Sequence, residues 1–289
     1  MVRLNLSISL WYQIAHQPSD FVFNIHCAQT RHQKVVSETL EISQPIIPVM
    51  FDDAAVGTRF MRLQAQPGPL TLRYLATVDI DHHIESPGLI DEIPVSQLPP
   101  SVLAYIYPSR YCQADRLRRF ASREFGHLRP GYWRVQAIHD WVRTRTTFTS
   151  GSSNIHTSAI DTLIEQVGVC RDFAHLMIAL CRAVSIPARF VTGIDYGADP
   201  ALGPTDFHAY VEAFVGDRWY LFDPTGVSPP MGLVRIGTGR DAADVSFATM
   251  FGAISSSAPL IEIDAVDDPA NGIFPPRHCT EALSSMAIA

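Results

Sequence analysis

The hydrophobic period of this chain lengthens after its first hundred residues, and that change limits the folds open to it. From Met1 to about Pro94 apolar and polar residues alternate: "VRLNLSISLW", "DFVFNIHCAQT", "KVVSETLEIS" and "TRFMRLQAQPGPLTLRYLATVDI" are each closed by Pro, Gly, Asp or Ser signals. Successive side chains of a strand point to opposite faces, so runs of period two make half-buried antiparallel strands. Around "DEIPVSQLPPSV" prolines cluster and the alternation stops, as at a linker between domains. After it the spacing lengthens to three and four. The expected division is an antiparallel β domain, sandwich or barrel, over residues 1–100 and an α+β domain over 101–289.

Within the second part, "QADRLRRFASREF" and "GYWRVQAIHDWVRTRT" read as helices; the second places Trp133, Ala137, Ile138 and Trp141 on one face, with both tryptophans as core anchors. Ser158 followed by Asp161 has the spacing of a capping box and predicts a short helix ending at Gly168. From Phe173 the positions Phe173, Leu176, Met177, Leu180, Cys181 and Val184 mark one buried face of a helix that Pro187 ends. Short strands follow, "ARFVTGI", "FHAYVEAFV" and "RWYLFDP", the last two meeting at Gly216-Asp217, a dipeptide suited to a tight hairpin. Helix first and antiparallel strands afterwards imply a helix packed on an antiparallel sheet. "MGLVRIGTGRDAADVSFATM" and "PLIEIDAVD" are expected to add a C-terminal β extension.

Composition narrows the function classes. With 22 basic and 29 acidic residues the net charge is −7, and the acids are scattered, so neither nucleic acid nor an anionic membrane is an expected partner. Five cysteines, Cys27, Cys112, Cys170, Cys181 and Cys279, are odd in number and widely spaced, which argues against a disulfide framework. Neither a CxxC pair nor an HExxH run offers a metal site, and the adjacent His82 and His83 would point to opposite faces of a strand. The first residues alternate where a secretory signal would be an unbroken apolar block, and there is no apolar run of about 18 residues. A soluble, cytoplasmic protein is the expectation.

The stretch "GVCRDFAHL" puts Cys170 at the start of the predicted helix. A thiol attacks as thiolate, and a helix N-terminus with an imidazolium partner favours that form. Its unpaired N–H groups can also stabilise an oxyanion. Gly168 is read as letting the backbone turn sharply and leaving room for a substrate. Cys181, on the apolar stripe, is plain core. The partner candidate is His208: if Val215 and Arg218 flank a two-residue turn, Tyr210 faces Asp223 and His208 faces Thr225, so Asp223 lies diagonally from His208 on one sheet face. A carboxylate there can orient an imidazole. Glu212 shares the parity but lies too far along and is read as structural. His175, five residues after Cys170, points away around the helix. His156 and Asp206 read as surface, and Arg171 and Asp172 as local polar contacts at the helix start.

The stretches "TSAIDTLIEQVGVCRDFAHLMIALCRAVSIPARFVTG" and "DFHAYVEAFVGDRWYLFDPTG" resemble the core of the transglutaminase-like superfamily. The resemblance spans about Trp133 to Gly226, with Gly168, the "IPAR" and the "DPT" matching as well, and Tyr210 standing where the family has tryptophan. The β-rich region before it resembles the bacterial branch with an N-terminal β domain. The resemblance implies a papain-like triad of Cys170, His208 and Asp223, and acyl transfer through a thioester on a protein or peptide substrate, at a glutamine amide or peptide bond. No cofactor and no calcium site is implied, and hydrolysis is expected ahead of amine transfer or of a binding module without turnover. The second oxyanion donor stays open between Gln166 and Trp133.

Overall fold

The structure, a computed structural model, describes residues 1–199 and 204–286. Its longest strands come from the best alternation. β1 (Val2–Ile14) buries Val2, Leu4, Leu6, Ile8, Leu10, Tyr12 and Ile14 and pairs antiparallel with β6 (Gly68–Ile80) over its whole length. β2 (Ser19–Phe23), β3 (Gln33–Ile42), β4 (Val49–Asp53) and β5 (Thr58–Ala65) complete the N-terminal strands. β3 joins the β1–β6 sheet, whereas β2, β5 and β4 form a second sheet. Phe21, Phe23, Met61 and Leu63 of the second sheet share one core with the apolar faces of β1 and β6, so the expected β domain is a sandwich.

A short strand, β7 (His83–Glu85), leads into the proline-rich stretch. That stretch is packed down rather than loose: Leu98 and Val102 are buried against Phe214 and Trp219. Helices α1 (Ala114–Phe125) and α2 (Tyr132–Arg145) follow, then β8 (Thr147–Phe148), α3 (Ala159–Glu165), β9 (Val167–Gly168) and α4 (Cys170–Ala183). β10 (Ala188–Asp195), β11 (Phe207–Val215), β12 (Arg218–Phe222) and β13 (Leu233–Gly239) make an antiparallel sheet ordered β12-β11-β10-β13. α4 lies between α1, α2, α3 and this sheet, its Phe173, Met177 and Leu180 sharing a core with Val135, Ile138, Phe190 and Val211. This is an α+β fold, as the change of period implies.

The structure departs from the sequence expectations in four places. α4 is buried on every side from Asp172 to Ala183, because helices cover the faces the sheet leaves free. α2 is rotated from its expected face: Tyr132, Val135, Ile138 and Val142 go inward, Trp141 is half-buried against Phe120 and Phe125, and Trp133 is 57% exposed. α3 has the expected capping box, with the Ser158 N–H donating to Asp161 Oδ2 at 2.9 Å, but stops at Glu165, where Gln166 turns left-handed with φ 58°. The expected C-terminal β extension is divided: β13 joins the sheet of the second part, and the strands after it pair with earlier ones. β14 (Ala248–Phe251) pairs with β2, β15 (Ile254–Ser256) and β16 (Leu260–Ala265) pair with β1, and β17 (Ala282–Ser284) pairs with β7. β1 and β2 would otherwise be sandwich edges with open hydrogen-bonding groups, which these strands cover.

Candidate active site

Cys170 opens α4, and its first turn is built by local polar contacts. The Val169 N–H donates to Asp172 Oδ2 at 2.9 Å and the Asp172 N–H to the Val169 carbonyl at 2.8 Å. Arg171 reaches the Asn154 carbonyl at 2.7 Å, Ser153 Oγ at 3.0 Å and Asp172 Oδ1 at 3.3 Å, so both residues play the local role expected of them. Gly168 does not use the left-handed region. Its value is space: a Cβ there would lie 2.7 Å from the Asp172 Cβ, so the glycine admits the capping aspartate rather than a sharp turn. Parallel pairing of β8 with β9, Phe148 opposite Gly168, ties the end of α2 to this entry.

β11 and β12 have the anticipated register, from Val215 opposite Arg218 to Val211 opposite Phe222. Asp223 follows the last of these pairs, on the face of Tyr210 and His208. His208 is 5% exposed, and its Nε2 lies 3.0 Å from Asp223 Oδ2. Cys170 is close enough to the ring to act on it electrostatically, and its half-buried sulfur sits 4.0 Å from the carbonyl oxygen of Phe207, the residue before His208. With Nε2 taken by the carboxylate, Nδ1 is the nitrogen left to exchange a proton with sulfur. The three side chains singled out from the sequence therefore meet.

Burial by itself would push the His208 imidazole down. Asp223, by charge and hydrogen bond, and then Cys170 outweigh it and hold the ring well above the usual histidine value. Asp223 mirrors this: burial would raise the carboxyl, but His208 and Thr225 hold it below the usual range. Its Oδ1 accepts from Thr225 Oγ1 at 2.7 Å and the Thr225 N–H at 3.0 Å, which leaves Oδ2 aimed at the imidazole. Burial pushes the thiols of Cys27, Cys112 and Cys181 up to about 12, and Cys279, half-buried, is also raised, first by burial.

The remaining candidates fall elsewhere. Glu212 is fully buried between two guanidinium groups, with Arg189 Nε at 2.7 Å on Oε2 and Arg235 on Oε1; it is structural, as read. His175 is buried, stacks on Tyr111 at 4.9 Å and accepts the Ala242 N–H at 3.2 Å, with burial holding it well below the usual range. His156 and Asp206 are exposed. Gln166 is exposed as well, and among the described residues no hydrogen bond or ring contact joins it or Trp133 to Cys170.

Two residues near the triad were not singled out from the sequence. His139, on α2, places Nε2 2.8 Å from the Asp223 carbonyl oxygen. Asp195 lies two residues beyond Gly193, the cross-strand partner of His208, so it shares the face of the imidazole; it is 6% exposed and burial raises its carboxyl. The parity of β10 against β11 would have found Asp195. No local signal marks His139, whose contact spans 84 positions.

Residues 2–101 match the family model described as the bacterial transglutaminase N-terminal domain, and residues 119–224 match the transglutaminase-like superfamily core. The crystal structure of a Cytophaga hutchinsonii protein provisionally described as a cysteine protease is 39% identical, with a TM-score of 0.89 over 98% of this chain and 97% of that one. An uncharacterized protein of Mycobacterium leprae is 35% identical over 117 residues, 39% of this chain and 42% of the relative. An uncharacterized protein of Mycobacterium tuberculosis is 30% identical over 142 residues, 45% of each. The matches thus span less than half the length of these curated relatives. With both family domains in sequence order and a counterpart matched along nearly its whole length, the chain belongs to the transglutaminase-like superfamily, in the branch that carries the bacterial N-terminal domain.

Proposed function

We propose that this chain is a cysteine-dependent hydrolase that opens amide or peptide bonds through a thioester on Cys170. The observation that carries this reading is that one buried imidazole, His208, lies 3.0 Å from the Asp223 carboxylate while the Cys170 sulfur sits 4.0 Å from the carbonyl oxygen of the preceding residue, Phe207. The Cytophaga hutchinsonii relative provisionally described as a cysteine protease supports hydrolysis as the outcome.

In this reading the Cys170 proton passes to His208 Nδ1 as sulfur attacks the carbonyl carbon. The developing oxyanion is met by the Cys170 N–H, which lies in the first turn of α4, where no intrahelical carbonyl claims it. Collapse breaks the C–N bond, and His208 gives its proton to the departing nitrogen. Water then loses a proton to His208 Nδ1 and attacks the thioester; the C–S bond breaks and the proton returns to sulfur. Asp223 stays ionised throughout, holds the ring through Nε2 and offsets the imidazolium charge that forms within each half-reaction.

The test is mass spectrometry of the intact chain incubated with a library of glutamine-containing peptides, with and without a primary amine. Acylated Cys170 and a free-acid product are expected whether or not the amine is present. Products that incorporate the amine would move the assignment to amine transfer. A Cys170 that takes up no acyl group from any peptide would remove the reading altogether.

A further inference from the structure

Asp223 lies past the final β11–β12 pair, so the strand ladder does not hold its backbone in place. What holds it comes from elsewhere. Its carbonyl oxygen accepts two hydrogen bonds, from the Gly226 N–H at 3.2 Å and from His139 Nε2 at 2.8 Å. A carbonyl can only accept, so His139 carries its proton on Nε2. The opposite edge of that ring is also fixed: Nδ1 lies 2.8 Å from Asp140 Oδ1 and 3.0 Å from Gln136 Nε2, which itself donates to Asp140 Oδ1 at 2.9 Å. The imidazole is 9% exposed and packs 6.3 Å, centroid to centroid, from Phe222. One helical turn further, the Arg143 guanidinium rests on the same turn. A Cβ on Gly226 would come within 2.7 Å of its Cζ, and Gly226 sits at φ +63°, where other residues are strained.

Resting on the assignment of Cys170, His208 and Asp223 as the reacting set, we propose that His139 is a positioning residue of this site. It clamps the Asp223 carbonyl to α2, and so sets where the Asp223 carboxylate meets the His208 ring. A hydrogen bond of this kind touches no reacting atom. Its consequence is geometric, because a carboxylate displaced by about an ångström loses its hold on the imidazole, and misplacement of that size can cost about 100-fold in rate. The titratable groups bearing on His208 and Asp223 are Cys170 on α4, Asp195 on β10, Tyr210 on β11 and, at the Asp223 carbonyl, His139 on α2; Asp140 lies against His139, and Arg143 against the Gly226 turn.

The experiment is the pH profile of Cys170 alkylation by iodoacetamide in the full chain, for the unaltered protein and for His139→Phe, His139→Gln and His139→Asn. Phe keeps a ring but has no donor, Gln can reach the carbonyl with an amide N–H, and Asn is too short. The expected result is a rate at pH 6 lower by at least about tenfold in His139→Phe and His139→Asn, with the midpoint of the profile moved upward, and recovery of most of the rate in His139→Gln. If His139→Phe does not fold, the Asn and Gln variants decide alone: equal rates in those two overturn the proposal. It is equally overturned if a folded His139→Phe profile superimposes on that of the unaltered protein. A chain whose Cys170 shows no preferential alkylation even with His139 in place would instead strike at the catalytic assignment, so the two failures are told apart.

Discussion

His208 and Asp223 stand 15 residues apart in the chain and 3.0 Å apart in space, and a two-residue turn accounts for the difference. Gly216, at φ +62°, closes the hairpin and sets every pair from Val215–Arg218 back to Val211–Phe222. A slip of one residue would send Asp223 to the opposite face and leave a buried imidazole without its carboxylate.

Selective chemistry at one cysteine follows from the contrast among the five. At neutral pH iodoacetamide should label Cys170 far faster than Cys27, Cys112 and Cys181, which are buried with thiols pushed up to about 12, and faster than Cys279. His208→Ala should abolish that preference, because the ring that takes the sulfur's proton is gone. Peptide mapping after timed labelling gives the rates; five similar rates in the unaltered protein would count against the assignment.

The His208–Asp223 pair should also appear in stability against pH. His208 is held above its ordinary value, so the stability it gains is fully present below the unfolded histidine value of about 6.5 and is lost as pH rises through the raised value. Asp223 is held below its ordinary value, so its share is present above about 4 and is lost as pH falls through the lowered one. Asp223→Asn should therefore cost most between about pH 4 and 6.5, roughly 1.5–3 kcal/mol for a hydrogen bond to a charged group. Urea denaturation at pH 5.5 and again well into the alkaline range would show it; a cost independent of pH would contradict the ion-pair description.

How far these features were readable depends on the range over which each is encoded. Alternation in β1 and β6, the capping box at Ser158 and the Gly216 turn are local, and from them came the sandwich strands, α3 and the register that brings His208 to Asp223. The rest is set by partners distant in sequence. α4 reads as a one-sided helix because nothing in its own residues announces the helices that cover its other faces. Trp133 looks like a core anchor by type, yet α2 turns Tyr132 and Val135 inward in its place. β15 and β16 pair with β1 across 240 positions or more, and no periodicity within either segment names that destination. His139 escaped notice for the same reason: its work is done on a carbonyl, which any residue could have supplied.

Gly168→Ala tests the space argument directly. The substitution needs no unusual φ, so any cost comes from the 2.7 Å approach of the new Cβ to Asp172. Overpacking of this kind costs about 1–3 kcal/mol. If the Asp172 side chain moves aside, the Val169 N–H loses its 2.9 Å partner and the first turn of α4 loosens at Cys170. Both a lower denaturation midpoint and slower Cys170 alkylation are expected. A variant matching the unaltered protein in both would show that Asp172 gives way freely.

Glu212 separates scaffold from chemistry on the same strand as His208. Its carboxylate is buried between Arg235 and Arg189, which hold it ionised against the pull of burial, and Arg189 also lies 4.0 Å over the Trp219 ring. Glu212→Gln keeps the shape but leaves two buried cations facing a neutral amide, and breaking a buried ion pair from one side costs about 3–5 kcal/mol. The variant should lose that much in urea denaturation or fail to accumulate as folded protein. Whatever fraction folds should still alkylate Cys170 ahead of the other cysteines, since the residue belongs to neither end of the His208–Asp223 hydrogen bond. A loss of that preference in well-folded Glu212→Gln protein, with stability unchanged, would mean that the buried pair acts on the imidazole after all.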